Sequence, residues 1–387
     1  MKLFKYSFLG ILFMSHLLFA QFSKNLEISS YLDDNLYRSP DPVADLFTNV
    51  DLALDYRPPS STINFSYNGS FYLYRDATDR NFSLHSLNLS LFSLFGDEEQ
   101  HTFYMGADGL LRFDTENYNY YDYTQFYLYL NLRLDLDFLF LKSGYNFRIR
   151  NYTNYPDLSN NRHYIYLQLN KSFETRTTLI LESDLGLKTF ASEEIVNTPG
   201  GGGRGQGMSQ MTSATATSTI STSSSLSHVI LLARITQSLH EKLGFYVQFR
   251  KQIGLSDQFN YSNSDSYYQD EELFDDPFSY ESSGWASQIT WLLPWSTKLQ
   301  IGGDMSSKNY LSEQAYLSAT DTVGLGGPRN DDQHLFYVNL SKTFNFNEKW
   351  LNLLRFNFYM NYIDNRSNSY WYDYRNMVLG AGIQWNF

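Results

Sequence analysis

The stretch Met377-Val-Leu-Gly-Ala-Gly-Ile-Gln-Trp-Asn-Phe387 decides how this chain is read. Its apolar residues recur at every second position: Met377, Leu379, Ala381, Ile383, Trp385 and Phe387. Val378, Gly380, Gly382, Gln384 and Asn386 stand between them and are mostly small or polar. A period of two sends the two sets to opposite faces of a β-strand, one greasy and one wet.

The same device fills the chain upstream. From Gln125 to Phe138, the apolar face is Phe126, Leu128, Leu130, Leu132, Leu134 and Leu136, and the other face is Gln125, Tyr127, Tyr129, Asn131, Arg133, Asp135 and Asp137. An amphipathic helix would space its apolar residues three and four apart, and this segment does not. Ile63, Phe65 and Tyr67 alternate with Asn64, Ser66 and Asn68; Ile165, Leu167 and Leu169 with Tyr164, Tyr166 and Gln168; Phe356, Phe358 and Met360 with Arg355, Asn357 and Tyr359. Between residue 24 and the terminus about sixteen such segments are expected, each long enough to cross a bilayer as a tilted strand.

The connections keep phase with the strands. Long polar gaps are expected at 38–46, 75–81, 114–121, 151–162, 190–226, 255–283, 306–332 and 364–372. Short turns are expected at Pro58-Pro59, Gly96 to Gln100, Asp137, Phe173 to Arg176, Glu241, Pro294-Trp295 and Asn345 to Lys349. Long and short alternate throughout, a phase that a soluble sandwich has no reason to keep.

Composition points the same way. Among 387 residues are 32 Tyr and 30 Phe, yet no long apolar run follows residue 20. Aromatics spread over a lipid-facing surface and two interfacial girdles, around a polar lumen, account for both facts. The chain has no Cys, which excludes disulfides, thiolate metal sites and Cys nucleophiles. Its net charge of −12 argues against general nucleic-acid binding. Residues 1–20 read as a secretory signal peptide, with Lys2 and Lys5 before the apolar run Phe8 to Phe19 and cleavage expected after Ala20. Residues 21–387 then form the barrel.

The terminal strand, with Leu379, Ala381, Ile383 and Trp385 alternating up to Phe387, resembles the closing strand of a bacterial outer-membrane β-barrel. The resemblance covers those residues alone. It implies an all-β fold, a transmembrane antiparallel up-and-down β-barrel with short periplasmic turns, long extracellular loops and both termini periplasmic. It also implies that these residues are the assembly signal read by the barrel-insertion machinery. The expected surroundings are outer-membrane lipid and lipopolysaccharide, and the expected assembly is a monomer or a homotrimer.

Two long connections stand out. Residues 197–225 are rich in Gly, Ser and Thr and read as a flexible extracellular loop, or as one that folds into the lumen. Residues 255–283 carry Asp265, Asp270, Glu271, Glu272, Asp275 and Asp276. Carboxylates this dense can bind Ca²⁺, or remain a solvated acidic loop; no EF-hand spacing is present.

The inward face is where function is sought, because lipid-facing charge is costly. Alternation places Asp51, Asp55, Asp135, Glu182 and Asp184 there, with Asp33, Asp108 and Asp304. Arg133, Arg148, Arg150, Arg250 and Arg355 join them, with Arg57, Arg112, Lys188 and Arg234. Arg133, Arg148 and Arg150 are expected to form one basic stripe opposite acidic patches, a field that biases ion passage. Tyr72, Tyr74, Tyr127, Tyr129, Tyr166 and Tyr359 are expected on the lumen wall, where they stack on sugars or fill space.

Enzyme signals are thin. Asp331, Asp332 and His334 have the spacing that omptin-type proteases place at the barrel rim, without a second acidic pair. Ser83 and His85 lie two apart on one strand, with no motif around them. The expected function is a non-enzymatic channel for passive diffusion of small hydrophilic solutes, weakly cation-preferring. The alternatives are a closed barrel acting as scaffold, adhesin or receptor through its loops, and a glycan passage.

Overall fold

A computed structural model describes residues 22–386 except 60, 191–224, 256–275 and 349–350. The expected signal peptide, the terminal Phe387 and most of the two distinctive loops lie outside the described residues.

Sixteen antiparallel strands close into one barrel, each paired with its sequence neighbour. They are β1 (Phe22–Asp33), β2 (Asp45–Tyr56), β3 (Ile63–Tyr74), β4 (Phe82–Phe95), β5 (His101–Asp114), β6 (Tyr123–Asp135), β7 (Phe140–Tyr152) and β8 (Asn160–Ser172). The second half comprises β9 (Thr177–Phe190), β10 (Ser225–His240), β11 (Leu243–Gly254), β12 (Tyr280–Leu293), β13 (Thr297–Gln314), β14 (Pro328–Glu348), β15 (Leu351–Ser367) and β16 (Tyr374–Asn386). The ring closes where β1 meets β16, from Asn25↔Asn386 to Asp33↔Val378. Closure gives each described strand a neighbour on both edges, so the ladder N–H and C=O groups pair with one another rather than with water.

Alternation sorts the side chains as a transmembrane barrel requires. Phe65, Leu87, Phe126, Ile165, Ile235, Trp285, Phe356 and Ile383 are exposed on the outward face. Their strand neighbours face inward with the polar residues. At the short-turn end, Lys171 lies 5.5 Å from the Phe138 ring and 6.0 Å from that of Phe173, and Lys342 donates to the Trp295 carbonyl. Both ammonium groups lie over aromatic rings, and that of Lys342 also reaches a backbone carbonyl, an arrangement suited to a bilayer boundary. Glu99, Asp137, Arg176, Trp295 and Ser296 adopt positive φ, and all lie in short turns, where tight reversal demands it.

The long-loop end differs in kind. Its inward face is packed rather than wet. Leu36, Phe47, Tyr72, Tyr74, Phe82, Tyr121, Tyr123 and Tyr152 form a buried aromatic core under inward-folded loops. Arg112 is threaded into it, 4.6 Å over Phe82, and its Nε donates to Asp114 at 2.8 Å. Across the barrel, Arg329 is fully enclosed between the Tyr310 ring at 4.0 Å and the Tyr372 ring at 3.3 Å. It donates to Glu313 at 3.0 Å and to Asp331.

That ion cluster corrects one expected boundary. The gap expected at 306–332 shrinks to 315–327, because β13 and β14 run on past the ends assigned to them. Charged residues there resemble a loop in sequence, yet their charges neutralise one another inside the packed end.

The remaining loop, 315–327, is organised by one exposed carboxylate. Asp321 accepts N–H bonds from Leu317 at 3.0 Å, Val323 at 3.1 Å, Gly324 at 3.0 Å and Leu325 at 2.9 Å. The Leu317 and Leu325 amides above all hold its pKa below the ordinary 3.8. A carboxyl lowered in the folded state adds order above its ordinary value and loses it as pH falls through the lowered one. Amide-exchange protection at 317 and 323–325 is therefore expected to hold at neutral pH and to fade below about pH 3.8. In Asp321→Ala it should already be absent at neutral pH; protection independent of both pH and Asp321 would contradict this role.

Candidate functional site

Below the packed end, the inward side chains are half-buried and polar. The wall of β7, β8 and β9 carries a recess of about 330 Å³ lined by Lys142, Asn146, Tyr164, Tyr166, Gln168, Glu182 and Asp184. Alternation builds it directly: even-numbered residues of these strands face inward, and their odd-numbered neighbours Ile165, Leu167, Leu181 and Leu185 are exposed outside. Gln168 Nε2 donates to Glu182, and the Tyr166 hydroxyl donates to Asn131 Oδ1 at 2.7 Å. A second recess of about 330 Å³ lies across the lumen, lined by Glu27, Lys298, Gln300, Asn339, Arg355, Asn357, Tyr359 and Gln384. Arg355 is held there by bonds from Nε to Thr343 at 3.2 Å and from Nη1 to Gln384 at 3.1 Å.

The sequence-predicted charges divide among several settings. Glu182, Asp184 and Arg355 line the recesses. Asp51 accepts from Asn49 and from Ser70, both at 2.5 Å, on the wall of β2 and β3. Asp55 lies on the same face of β2, in register with Ser66. Arg250 donates to Gln252 at 2.9 Å and Ser282 at 3.5 Å on β11 and β12. Asp135 sits at the short-turn end and accepts the Asp137 N–H at 3.2 Å.

Arg133, Arg148 and Arg150 do not make one stripe. Arg133 pairs in register with Lys142 near the short-turn end, where its guanidinium lies 4.3 Å over Phe140. Arg148 and Arg150 lie toward the other end of β7, roughly 20 Å away along the strand, and both are buried. Arg148 donates to Asn160 at 3.0 Å. Arg150 donates to Gln125 at 3.0 Å and lies 4.2 Å over Tyr123. Adjacent strands share a face, but a difference in height separates these cations.

Other expectations are displaced by the packed end. Tyr72 and Tyr74 are buried in its aromatic core and present no ring to the lumen. Asp33 is buried at the barrel seam, accepting from the Asn35 N–H at 2.9 Å and from Asn376 at 2.5 Å. Asp276, one of the acidic-loop carboxylates weighed as Ca²⁺ ligands, instead pairs with Lys188 at 2.5 Å. The others of that loop lie outside the described residues. Among the described residues, no three His, Asp or Glu side chains gather as a metal site. Next to Asp276, Phe278 enters the barrel and stacks on His228 at 4.1 Å, and the Tyr164 hydroxyl and His228 Nε2 share a hydrogen bond of 2.9 Å.

The enzyme-like spacings separate as well. Asp331 points inward to Arg329, whereas Asp332 and His334 are exposed on the opposite face of β14. Alternation therefore prevents Asp331 and His334 from sharing a face. Ser83 and His85 do touch on the outward face, at 3.3 Å, and His85 Nδ1 shares a 2.8 Å hydrogen bond with the Tyr67 hydroxyl. The same Tyr–His pairing recurs between Tyr145 and His163 at 2.8 Å, without a serine, which marks it as part of the aromatic surface. The strand N–H groups beside Ser83 are engaged in the ladder and offer no oxyanion hole.

Glycines are what the sequence reading missed. A side chain at Gly106 would fall on the Tyr129 ring, and one at Gly144 on the Tyr166 ring. Each tyrosine lies flat against the wall because the next strand has no side chain there. The available signal was a glycine on an inward position one strand from a tyrosine, which is visible only once the register is known.

No family model matches the sequence, and neither does any of the curated proteins. Solved structures do resemble the fold. OpdK of Pseudomonas aeruginosa, solved with vanillate, aligns with a TM-score of 0.50 at 10% identity, covering 95% of this chain and 99% of that one. OmpT of Vibrio cholerae, an outer-membrane protein, gives 0.45 at 12% identity, covering 95% and 97%. A bacterial polysaccharide outer-membrane secretin gives 0.48 at 8% identity, covering 94% and 97%. The likeness to OpdK, together with the closed sixteen-strand ring, shows the fold alone: the chain is a closed antiparallel β-barrel of sixteen strands, similar in architecture to that outer-membrane protein.

Proposed function

We propose that the protein is a channel for passive diffusion of small hydrophilic solutes, with its long loops outside the cell and its short turns and both termini in the periplasm. The half-buried polar wall with its two recesses carries this reading. A barrel stabilised only by a filled interior would satisfy Glu182, Asp184 and Lys142 with partners across the lumen; here they line a hollow instead. The packed long-loop end is the constriction that sets size exclusion.

Weak cation preference is part of the same proposal. Arg112, Arg148, Arg150, Lys188 and Arg329 are buried at the packed end. Glu182 and Asp184 stay at the edge of the hollow, two residues apart on β9, against the single ammonium of Lys142. The reversal potential in a planar bilayer under a KCl gradient tests it. The pair Glu182→Gln and Asp184→Asn should shift selectivity toward anions, while Arg148→Gln should leave it nearly unchanged because that charge is withdrawn from the path. An unmoved potential in the double variant would place the selective charges elsewhere.

The buried long-loop end also favours a second reading, a closed barrel that displays its loops as a scaffold, adhesin or receptor. Conductance separates the two. Discrete steps from a folded, heat-modifiable barrel support the channel; silence from the same preparation supports the scaffold.

A further inference from the structure

We propose that the inner wall from β5 to β8 is a binding track for linear, neutral oligosaccharides; this rests on the channel reading and names the solute class it serves. Three of the tyrosines there form a connected series, and two more stand on the same wall. Tyr104, near the short-turn end of β5, lies 5.2 Å from Tyr129 by ring centroid, and their hydroxyls are 3.0 Å apart. Tyr129 lies 5.7 Å from Tyr127, one step higher on β6. Tyr166 and Tyr164 stand two strands away on β8, across β7 from Asn131 and Tyr129 by register, and Tyr164 lies 5.5 Å from His228, on which Phe278 stacks. Together the two groups span the wall from the short-turn end to the base of the packed end.

The rings are also posed to serve as surfaces. Tyr129 rests on Gly106 and Tyr166 on Gly144, so neither ring projects across the lumen, and both remain half-exposed to it. A ring laid on the wall offers its face, and aliphatic C–H groups of a pyranose pack on such a face with little loss of freedom. The ring-to-ring steps of 5.2 and 5.7 Å among Tyr104, Tyr129 and Tyr127 are comparable with the length of one sugar unit, so a chain passes along these three rings without leaving the wall.

Polar groups flank the rings where sugar hydroxyls would lie. Asn88 donates to the Tyr129 hydroxyl at 3.3 Å, and Asn131 accepts from that of Tyr166. Glu182, Asp184, Gln168 and Asn146 edge the same recess. This chemistry selects among solutes. A hydrocarbon would strip water from the carboxylates without replacing its hydrogen bonds. An organic anion would be repelled by Glu182 and Asp184. A small cation would be drawn to those carboxylates and would leave most of the series unused. A neutral chain with apolar ring faces and hydroxyl edges uses both components along the whole line.

The test uses the full barrel in a planar bilayer, with maltohexaose and cellohexaose as probes and spermidine as the cationic competitor. Either hexaose should interrupt the ion current at low millimolar concentration. Tyr129→Ala with Tyr166→Ala should weaken that block at least tenfold, measured against each channel's own open current. The Tyr→Phe pair, which keeps the faces, should retain most of the block. If ions pass but no hexaose interrupts them, the track is refuted and the channel stands. If spermidine blocks and the sugars do not, the wall serves cations and the proposal fails. If the folded barrel does not conduct, the channel reading fails, and calorimetry of maltohexaose with the micellar protein still decides the track: tyrosine-dependent binding supports it and absence of binding overturns it.

Discussion

Arg329→Met is expected to destabilise the long-loop end of β13, β14 and β15 by about 3–5 kcal/mol, the cost of leaving buried carboxylates without their cation. The guanidinium is fully buried, and Glu313 and Asp331, also buried, accept its N–H groups. Methionine matches the aliphatic stem but satisfies neither carboxylate. The two stacked rings, Tyr310 and Tyr372, also lose their cation. The urea midpoint of the micellar barrel and protease cleavage near 315–327 measure the effect. Replacing the whole cluster, Arg329→Met with Glu313→Met and Asp331→Leu, should recover most of the loss, because apolar groups of similar volume need no partner. A single variant that melts within about 1 kcal/mol of the parent would show that water reaches these carboxylates.

This cluster also shows where the sequence stops being legible. Alternation is a local property, so the period of two between Gln125 and Phe138, and the same period at the terminus, are readable residue by residue. The expected count of about sixteen strands is legible that way, and so is the phase of long and short connections. What alternation cannot report is whether an inward residue meets water or another segment of chain. Arg148 and Arg150 share a face with Lys142, yet their burial is decided by Asn160, Gln125 and Tyr123 on neighbouring strands. Tyr72 and Tyr166 are alike in sequence context, but a loop-built core covers the first and a recess exposes the second. Arg329 and Asp331 look like loop residues because their polarity is visible and their mutual neutralisation is not. The recess itself was half legible: Glu182, Asp184 and Tyr166 were readable as inward, but their convergence depends on the register of β7, β8 and β9.

Gly144→Leu is expected to destabilise the barrel and narrow its lumen at once. A β-carbon there would fall on the Tyr166 ring and lie 2.7 Å from the Leu130 carbonyl oxygen and from Asn131 Oδ1. The backbone oxygen is fixed by the β6–β7 ladder, so that contact persists, and relief of the ring contact must come from Tyr166. Turning that ring away breaks its 2.7 Å bond to Asn131 and swings it into the lumen. Overpacking costs about 1–3 kcal/mol and the lost hydrogen bond about 1 kcal/mol more. Single-channel conductance should fall, and the urea midpoint with it. Gly109→Leu is the matched control: it lies on the outward face of β5, where an added β-carbon meets nothing within 4 Å. That change should alter stability by no more than about 0.5 kcal/mol and leave conductance intact. If the two leucine variants behave alike, Tyr166 does not rest on Gly144, and the smooth wall on which a sliding solute depends is lost with it.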